Sequence, residues 1–211
     1  MSGLILSDIL TLKKTAKLYL LVTALYAAVG IISGGGVNMI SFIIFFGVML
    51  VLVSFSYNDL CHWDRYVNTA PIRRFDVVLS KYIFALGILV VTFVLGAAFL
   101  FIADTLQGRM PAEDILVLAV VAVVGHVYMM LMLPILFKFT VDRARIILVI
   151  IFLIPFGVIM LVSKTVPAQT ISRFAELFAG PWLVTAAVLG VIILTIISFI
   201  LSLGIYKNKE F

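Results

Sequence analysis

The fold of this chain is decided by residues 18–58, LYLLVTALYAAVGIISGGGVNMISFIIFFGVMLVLVSFSYN, a run of 41 positions without a charged side chain. As one unbroken helix this run would measure about 60 Å, twice the ~30 Å hydrocarbon core of a bilayer. The run must therefore fold back on itself. Its only strong helix breaker is Ser33-Gly34-Gly35-Gly36-Val37-Asn38, so we predict two spanning helices that are joined there.

The composition of the whole chain leads to the same class of protein. Of its 211 residues, 64% are hydrophobic and 12% are charged, whereas a soluble domain has about 45–50% and about 25%. A water-soluble fold of this composition could not cover its surface with polar groups, so lipid must be the solvent for much of that surface. We predict an all-α membrane protein with one domain over residues 1–211. Its spans 1 to 6 cover residues 18–33, 37–57, 82–103, 115–137, 146–163 and 181–206.

The distribution of positive charge predicts the orientation of these spans, because Lys and Arg collect in cytoplasmic loops. With the N-terminus inside, 12 of the 15 basic residues are cytoplasmic and only Arg109, Lys164 and Arg173 lie outside. Both termini are then cytoplasmic. The net charge of +5 is explained by this rule, and a nucleic-acid partner is not needed. The cytoplasmic set is Lys13, Lys14, Lys17, Arg65, Arg73, Arg74, Lys81, Lys138, Arg143, Arg145, Lys207 and Lys209.

Two segments at the ends of spans have helical patterns of their own. Residues 7–17 combine apolar and basic side chains, which predicts an N-terminal helix in the cytoplasmic interface; an extension of span 1 with snorkelling lysines is the equal alternative. Residues 164–179 have an apolar stripe interrupted by Pro167. They predict an outer helical insertion between spans 5 and 6.

The loop after span 2 is the longest cytoplasmic segment. Asn58 or Asp59 can cap a short helix there, on which Leu60, Trp63 and Val67 recur at i, i+3 and i+7 and form one apolar face. Thr69 can cap a second helix that leads into span 3. Such a hairpin is either a docking surface for a partner or a helix that lies on lipid.

Few side chains within the spans could take part in chemistry or bind a ligand. His126 is the one ionisable residue that we expect inside a span, where such groups are candidates for function. A hydrogen bond to a neighbouring helix is the favoured interpretation. Met129 and Met130 are either adaptable pathway residues or ordinary packing residues. The chain has no G-x-x-x-x-G-K-[ST] motif for ATP, and we predict no catalytic, cofactor-binding or metal-binding residue.

The loop after span 2 also resembles a known family. It reads Trp63-Asp64-Arg65-Tyr66, then Thr69-Ala70-Pro71-Ile72-Arg73-Arg74, then Ser80-Lys81-Tyr82. This order resembles ABC-2 type transporter permeases, in which an acidic or aromatic stretch precedes a Leu-Pro-Ile-Ser-Arg-like motif and a lysine opens the third span. Here Ala70 replaces the usual leucine and Arg73 the usual serine. The predicted layout is similar to that of the small six-span permeases that export phenol-soluble modulins or antimicrobial peptides.

The resemblance implies a permease subunit of an ATP-binding-cassette exporter in the bacterial plasma membrane. Its implied cargo is amphipathic or hydrophobic peptides, and its implied assembly is a permease homodimer with separate ATPase subunits that bind ATP and Mg²⁺. The helix after span 2 would be the coupling helix that docks on the ATPase, with Trp63 as its apolar anchor. The residues implied in coupling are Asp59, His62, Trp63, Asp64, Arg65 and Tyr66.

Two other functions remain open at this point. A secondary transporter would need intramembrane charges, internal repeats and interrupted helices, of which only His126 is present. A membrane scaffold without transport activity has no required motif. The exporter hypothesis is preferred because it accounts for a structured cytoplasmic hairpin.

Overall fold

A computed structural model describes residues 2–33, 36–61, 63–69, 72–107, 112–165 and 182–209. Over these residues the chain forms seven α-helices and no strand, which confirms the predicted all-α class. The helices are α1 (Ser2–Ser33), α2 (Gly36–Leu60), α3 (Trp63–Thr69), α4 (Arg74–Gln107), α5 (Ala112–Lys138), α6 (Val141–Thr165) and α7 (Trp182–Lys207).

Four stretches within the described helices are long and apolar enough to cross a membrane: Phe42–Leu60, Arg74–Ala103, Val117–Lys138 and Thr185–Lys207. Their outward surfaces are covered with large aliphatic side chains, and α7 exposes isoleucine and leucine from Leu189 to Leu201. Helices that are apolar on every side are stable in lipid and not in water. The chain is therefore a multi-pass membrane protein. The count of six spans stays a prediction, although α1 and α6 are helical where spans 1 and 5 were expected.

The first helix corrects the predicted start of the chain. α1 runs without a break from Ser2 to Ser33, so the separate interfacial helix was wrong and the continuous extension of span 1 is observed. Neither Gly nor Pro occurs between Ser7 and Val29 to stop the helix. At 32 residues the helix is about 48 Å long, which exceeds the ~30 Å core of a bilayer. The break that follows was predicted correctly, because α2 begins at Gly36.

The loop after α2 is helical as predicted, but its helix begins later. α2 continues to Leu60, and the Cys61 N–H donates to the Tyr57 carbonyl at 3.0 Å, so neither Asn58 nor Asp59 caps a new helix. α3 begins at Trp63. Thr69 ends α3 instead of capping the next helix, because its hydroxyl donates to the Tyr66 carbonyl at 2.8 Å.

The core is formed where α2, α4 and α5 pack together, with α7 against α4 and α5. One continuous cluster of buried side chains extends from these helices to α6 and to Val67 of α3. Contacts described below bring the start of α1, the end of α2, the starts of α4 and α6 and the end of α7 to the same side as α3. We call this side the α3 end. The predicted outer helix falls largely on residues 166–181, outside the described residues.

Candidate functional site

Helix α3 divides its side chains between the protein core and the surface. Val67 belongs to the core cluster and is 2% exposed. Trp63 is half-buried and packs against the same cluster. Tyr66 is 66% exposed and Leu60, the last residue of α2, is 76% exposed. The Trp63 and Tyr66 rings lie 5.4 Å apart and tilted, so the inward anchor supports the outward ring.

The predicted single apolar face of Leu60, Trp63 and Val67 is therefore wrong. Leu60 belongs to α2, and the 3.6-residue period does not continue across the turn at Cys61. Trp63 is half-buried against the core cluster, and Leu60 and Tyr66 are the most exposed of the large apolar side chains described in this loop. We call these two side chains the docking pair. His62 and the side chains of Asp64 and Arg65, which were also predicted to act in coupling, lie outside the described residues.

Asp59, another predicted coupling residue, binds within the protein. Its Oδ2 accepts a hydrogen bond of 2.8 Å from the N–H of Val141, the first residue of α6. A carboxylate at a helix N-terminus satisfies a free N–H and complements the helix dipole. Arg145 of α6 adds a second link to α2, because its Nη2 donates to Ser56 Oγ at 3.1 Å. Asp59 thus ties α6 to the end of α2.

Arg74 makes the corresponding link between α4 and α7. Its Nη1 donates to the carbonyl oxygen of Tyr206 at 3.4 Å and also to that of Lys207. These carbonyls belong to the last turn of α7, where a cation is favoured by the helix dipole. The first residue of α4 therefore fixes the end of α7 beside α3.

A buried ion pair lies at the α3 end of the bundle. Lys81 Nζ of α4 is 2.6 Å from Asp8 Oδ1 of α1, and the two side chains are 6% and 5% exposed. Ser54 of α2 completes the group, since its Oγ donates to Asp8 Oδ1 at 3.0 Å and accepts from Lys81 Nζ at 3.1 Å. The ammonium also lies 4.8 Å from the centre of the Phe55 ring. Three helices are thus joined through one carboxylate oxygen.

Sequence reasoning missed this ion pair. Lys81 was treated as a cytoplasmic surface charge, and His126 was expected to be the one ionisable side chain within a span. A signal was present, because Asp8 stands at helical spacing from Ile5 and Leu12 and so shares an apolar face with them. It is also the only acidic residue before Asp59.

His126 contacts a neighbouring helix. Its Nε2 is 2.9 Å from Thr195 Oγ1 of α7, and Thr195 Oγ1 in turn donates its proton to the Val191 carbonyl at 2.7 Å. When the Thr195 proton is directed to the Val191 carbonyl, the imidazole is the donor through Nε2–H. Met129 and Met130 are fully buried in the core cluster. His126 thus joins α5 to α7, and Met129 and Met130 pack in the core cluster.

A second cluster of polar side chains joins α4, α5 and α7. The Tyr82 hydroxyl is 2.6 Å from Ser198 Oγ and 2.8 Å from Ser202 Oγ, and Ser198 Oγ donates to the Met130 carbonyl. Buried polar side chains in membranes are expected to find partners of this kind. In the part of the chain that the structure describes, no three His, Cys, Asp or Glu side chains are grouped to hold a metal ion. The described polar contacts therefore join the helices of the bundle to one another.

Comparison with known proteins gives one positive result. Residues 3–207 match a family model described as "ABC-2 family transporter protein". The match covers nearly the whole chain, including every described helix except the first residue of α1. No curated protein and no solved structure gives a match.

Proposed function

The chain belongs to the ABC-2 family of transporter proteins, and from this we propose that it is the permease subunit of an ATP-binding-cassette exporter. Proteins of this family generally work with an ATPase subunit. The observation that carries the proposal to residues is the docking pair, which lies on either side of the turn between α2 and α3 at one end of the bundle. An ATPase would dock there.

The exposure of the docking pair supports this role. Tyr66 is a large aromatic side chain held on a supported helix, and tyrosine is among the residues that most often dominate the energy of protein interfaces. Val67 and Trp63 hold α3 against the core from below. A helix anchored in this way can transmit force instead of yielding to it.

The contacts around α3 give a route for a displacement to reach the spanning helices. Asp59 connects the end of α2, which leads into α3, to α6, and Arg74 connects the start of α4 to α7. The Asp8–Lys81 pair connects α4 to α1. We propose that ATP-driven movement of the ATPase shifts α3 and that these contacts pass the shift to α1, α4, α6 and α7.

The remaining features of the proposal rest on the positive-inside rule and on the resemblance of the loop sequence. The α3 end would face the cytoplasm, six helices would span the plasma membrane of a bacterium, and two permeases would form the transport path. The cargo would be amphipathic or hydrophobic peptides. Export of such a peptide from cells, with and without the chain and its ATPase, tests the cargo directly.

The docking role is tested by co-purifying the chain with the ATPase subunit encoded beside it. We expect Tyr66→Ala to weaken the complex about thirtyfold or more, because loss of a hot-spot side chain costs about 2 kcal/mol or more. Leu60→Ala should weaken it less. Tyr57→Ala is the matched control. Tyr57 is also exposed, at 39%, but it lies earlier in α2 and is not part of the docking pair.

Trp63→Ala should act differently from Tyr66→Ala. Because Trp63 packs on the core, its removal should lower the stability of the permease as well as the affinity for the ATPase. An ATPase that binds the Tyr66→Ala and Tyr57→Ala variants equally well would refute docking through Tyr66. Failure of any ATPase to bind the wild-type chain would refute the exporter assignment for this chain.

A further inference from the structure

A long apolar groove lies between α1, α2 and α4, separate from the docking pair. Its volume is about 530 Å³, within the ~300–1,000 Å³ range of sites for small ligands. Its walls include Ile9 and Leu20 of α1, Leu50 of α2 and Val91 of α4, and no charged side chain lines it. It opens sideways, since Ile9, Leu20 and Val91 are each more than half exposed.

The groove is kept open by the absence of side chains at its wall. Gly87 of α4 lines the groove, and a β-carbon added there would meet no atom within 4 Å. Gly87 lies six residues beyond Lys81, about 9 Å along α4. The ion pair therefore clamps α1 to α4 at one level, and Gly87 leaves a gap between the helices further along.

The hydroxyl of Thr92, one of the few polar groups in the lining of the groove, has its partners within the protein. Thr92 Oγ1 donates within its own helix, at 3.0 Å from the carbonyls of both Ile88 and Leu89. An apolar groove does not stabilise bound water, because a bound water molecule needs two to four polar partners. In a membrane protein the groove faces lipid, and a hydrocarbon chain fits its chemistry.

Two lysines of α1 place positive charge at the edge of the groove. Lys13 follows Ile9 by four residues and precedes Leu20 by seven, so these three side chains share one face of α1. Lys17 stands one turn further along the same edge. Both lysines are exposed, and neither belongs to the ion pairs of the described residues, which are Asp8–Lys81 and Asp142–Arg145.

We propose that this groove binds one acyl chain of an anionic phospholipid, whose phosphate contacts Lys13 and Lys17. Lysines near the membrane surface attract anionic lipid, and the flexible lysine stem allows the ammonium to reach a headgroup from beside an apolar wall. The lipid would fill the space between α1 and α4 beyond the ion pair. This site is independent of docking to an ATPase.

The test uses the purified full chain in detergent, incubated with equal amounts of phosphatidylglycerol and phosphatidylcholine that have identical acyl chains. Native mass spectrometry then measures which lipid stays bound. We expect one bound phosphatidylglycerol, preferred on the order of 25-fold, because each lysine near an anionic lipid contributes about fivefold. Lys13→Gln with Lys17→Gln should reduce this preference to near unity while a lipid of either kind still binds.

A second variant tests the groove itself. Gly87→Phe should abolish retention of the lipid, since the ring would occupy the empty space beside Gly87. Gly190→Phe is the matched control, because a β-carbon at Gly190 on α7 also meets no atom within 4 Å, and it should leave retention unchanged. Equal binding of both lipids by the wild-type chain would overturn the role of the lysines. Retention of the lipid by the Gly87→Phe variant would overturn the site. The site would also be overturned by a wild-type chain that binds no lipid and forms a dimer which Gly87→Phe dissociates.

Discussion

Breaking the buried ion pair between Asp8 of α1 and Lys81 of α4 should cost far more stability than the loss of the two hydrogen bonds that Asp8 accepts. Asp8→Asn keeps the size of the side chain but removes the negative charge, which leaves the Lys81 ammonium 6% exposed with Ser54 and the Phe55 ring as its remaining described contacts. Removal of one partner of a buried pair costs about 3–5 kcal/mol. We expect a loss of this size in the free energy of unfolding, and a similar loss for Lys81→Met, which strands the Asp8 carboxylate.

The double variant separates lost attraction from stranded charge. Replacing a whole buried pair with uncharged groups is often close to neutral, so Asp8→Asn with Lys81→Met should recover most of the loss of either single variant. The assay is reversible unfolding of the purified chain in mixed micelles by titration with a denaturing detergent. The Asp142–Arg145 pair supplies the control, because its side chains are 95% and 53% exposed at 3.9 Å. Asp142→Asn should change stability by no more than about 1 kcal/mol.

The result that would refute this reasoning is equally definite. If Asp8→Asn and Lys81→Met each change stability as little as Asp142→Asn, the pair is solvated in the membrane-embedded protein and does not clamp α1 to α4. If the two losses simply add in the double variant, the residues stabilise the protein separately and not as a pair.

Three further predictions concern other helix contacts, all measured by the same unfolding assay. Gly47→Ala should destabilise by about 1–3 kcal/mol, because its β-carbon would lie 2.5 Å from Thr92 Cγ2; Thr92→Ser should restore part of the loss, while Gly190→Ala should be tolerated. His126→Leu should cost about 0.6–1.7 kcal/mol, the range of interhelical hydrogen bonds in membranes, and loss of transport with stability intact would contradict its packing role. Asp59→Ala should cost about 0.5–2 kcal/mol as the loss of a helix cap, and no change would mean that Val141 N–H finds another acceptor.

Helix α3 shows how far periodicity reaches and where it stops. The residue order after span 2 predicted a helix, and α3 is present. The faces of that helix were assigned wrongly because a helical wheel assumes one continuous helix, whereas the chain turns at Cys61. The inward position of Trp63 and the outward position of Tyr66 depend on where α3 restarts, and that point is set by how it packs over the core.

The sequence by itself determined that this is an all-α membrane protein that reverses direction within residues 33–38, because the length of an uncharged run and the thickness of a bilayer leave no other solution. Only the tertiary structure decided which side chains meet across helices. Asp8 and Lys81 are 73 positions apart, and Asp59 and Val141 are 82 apart. Helices that are apolar on all sides have no amphipathic face to set their rotation, so the partners of the few polar groups become known only when the helices are packed together.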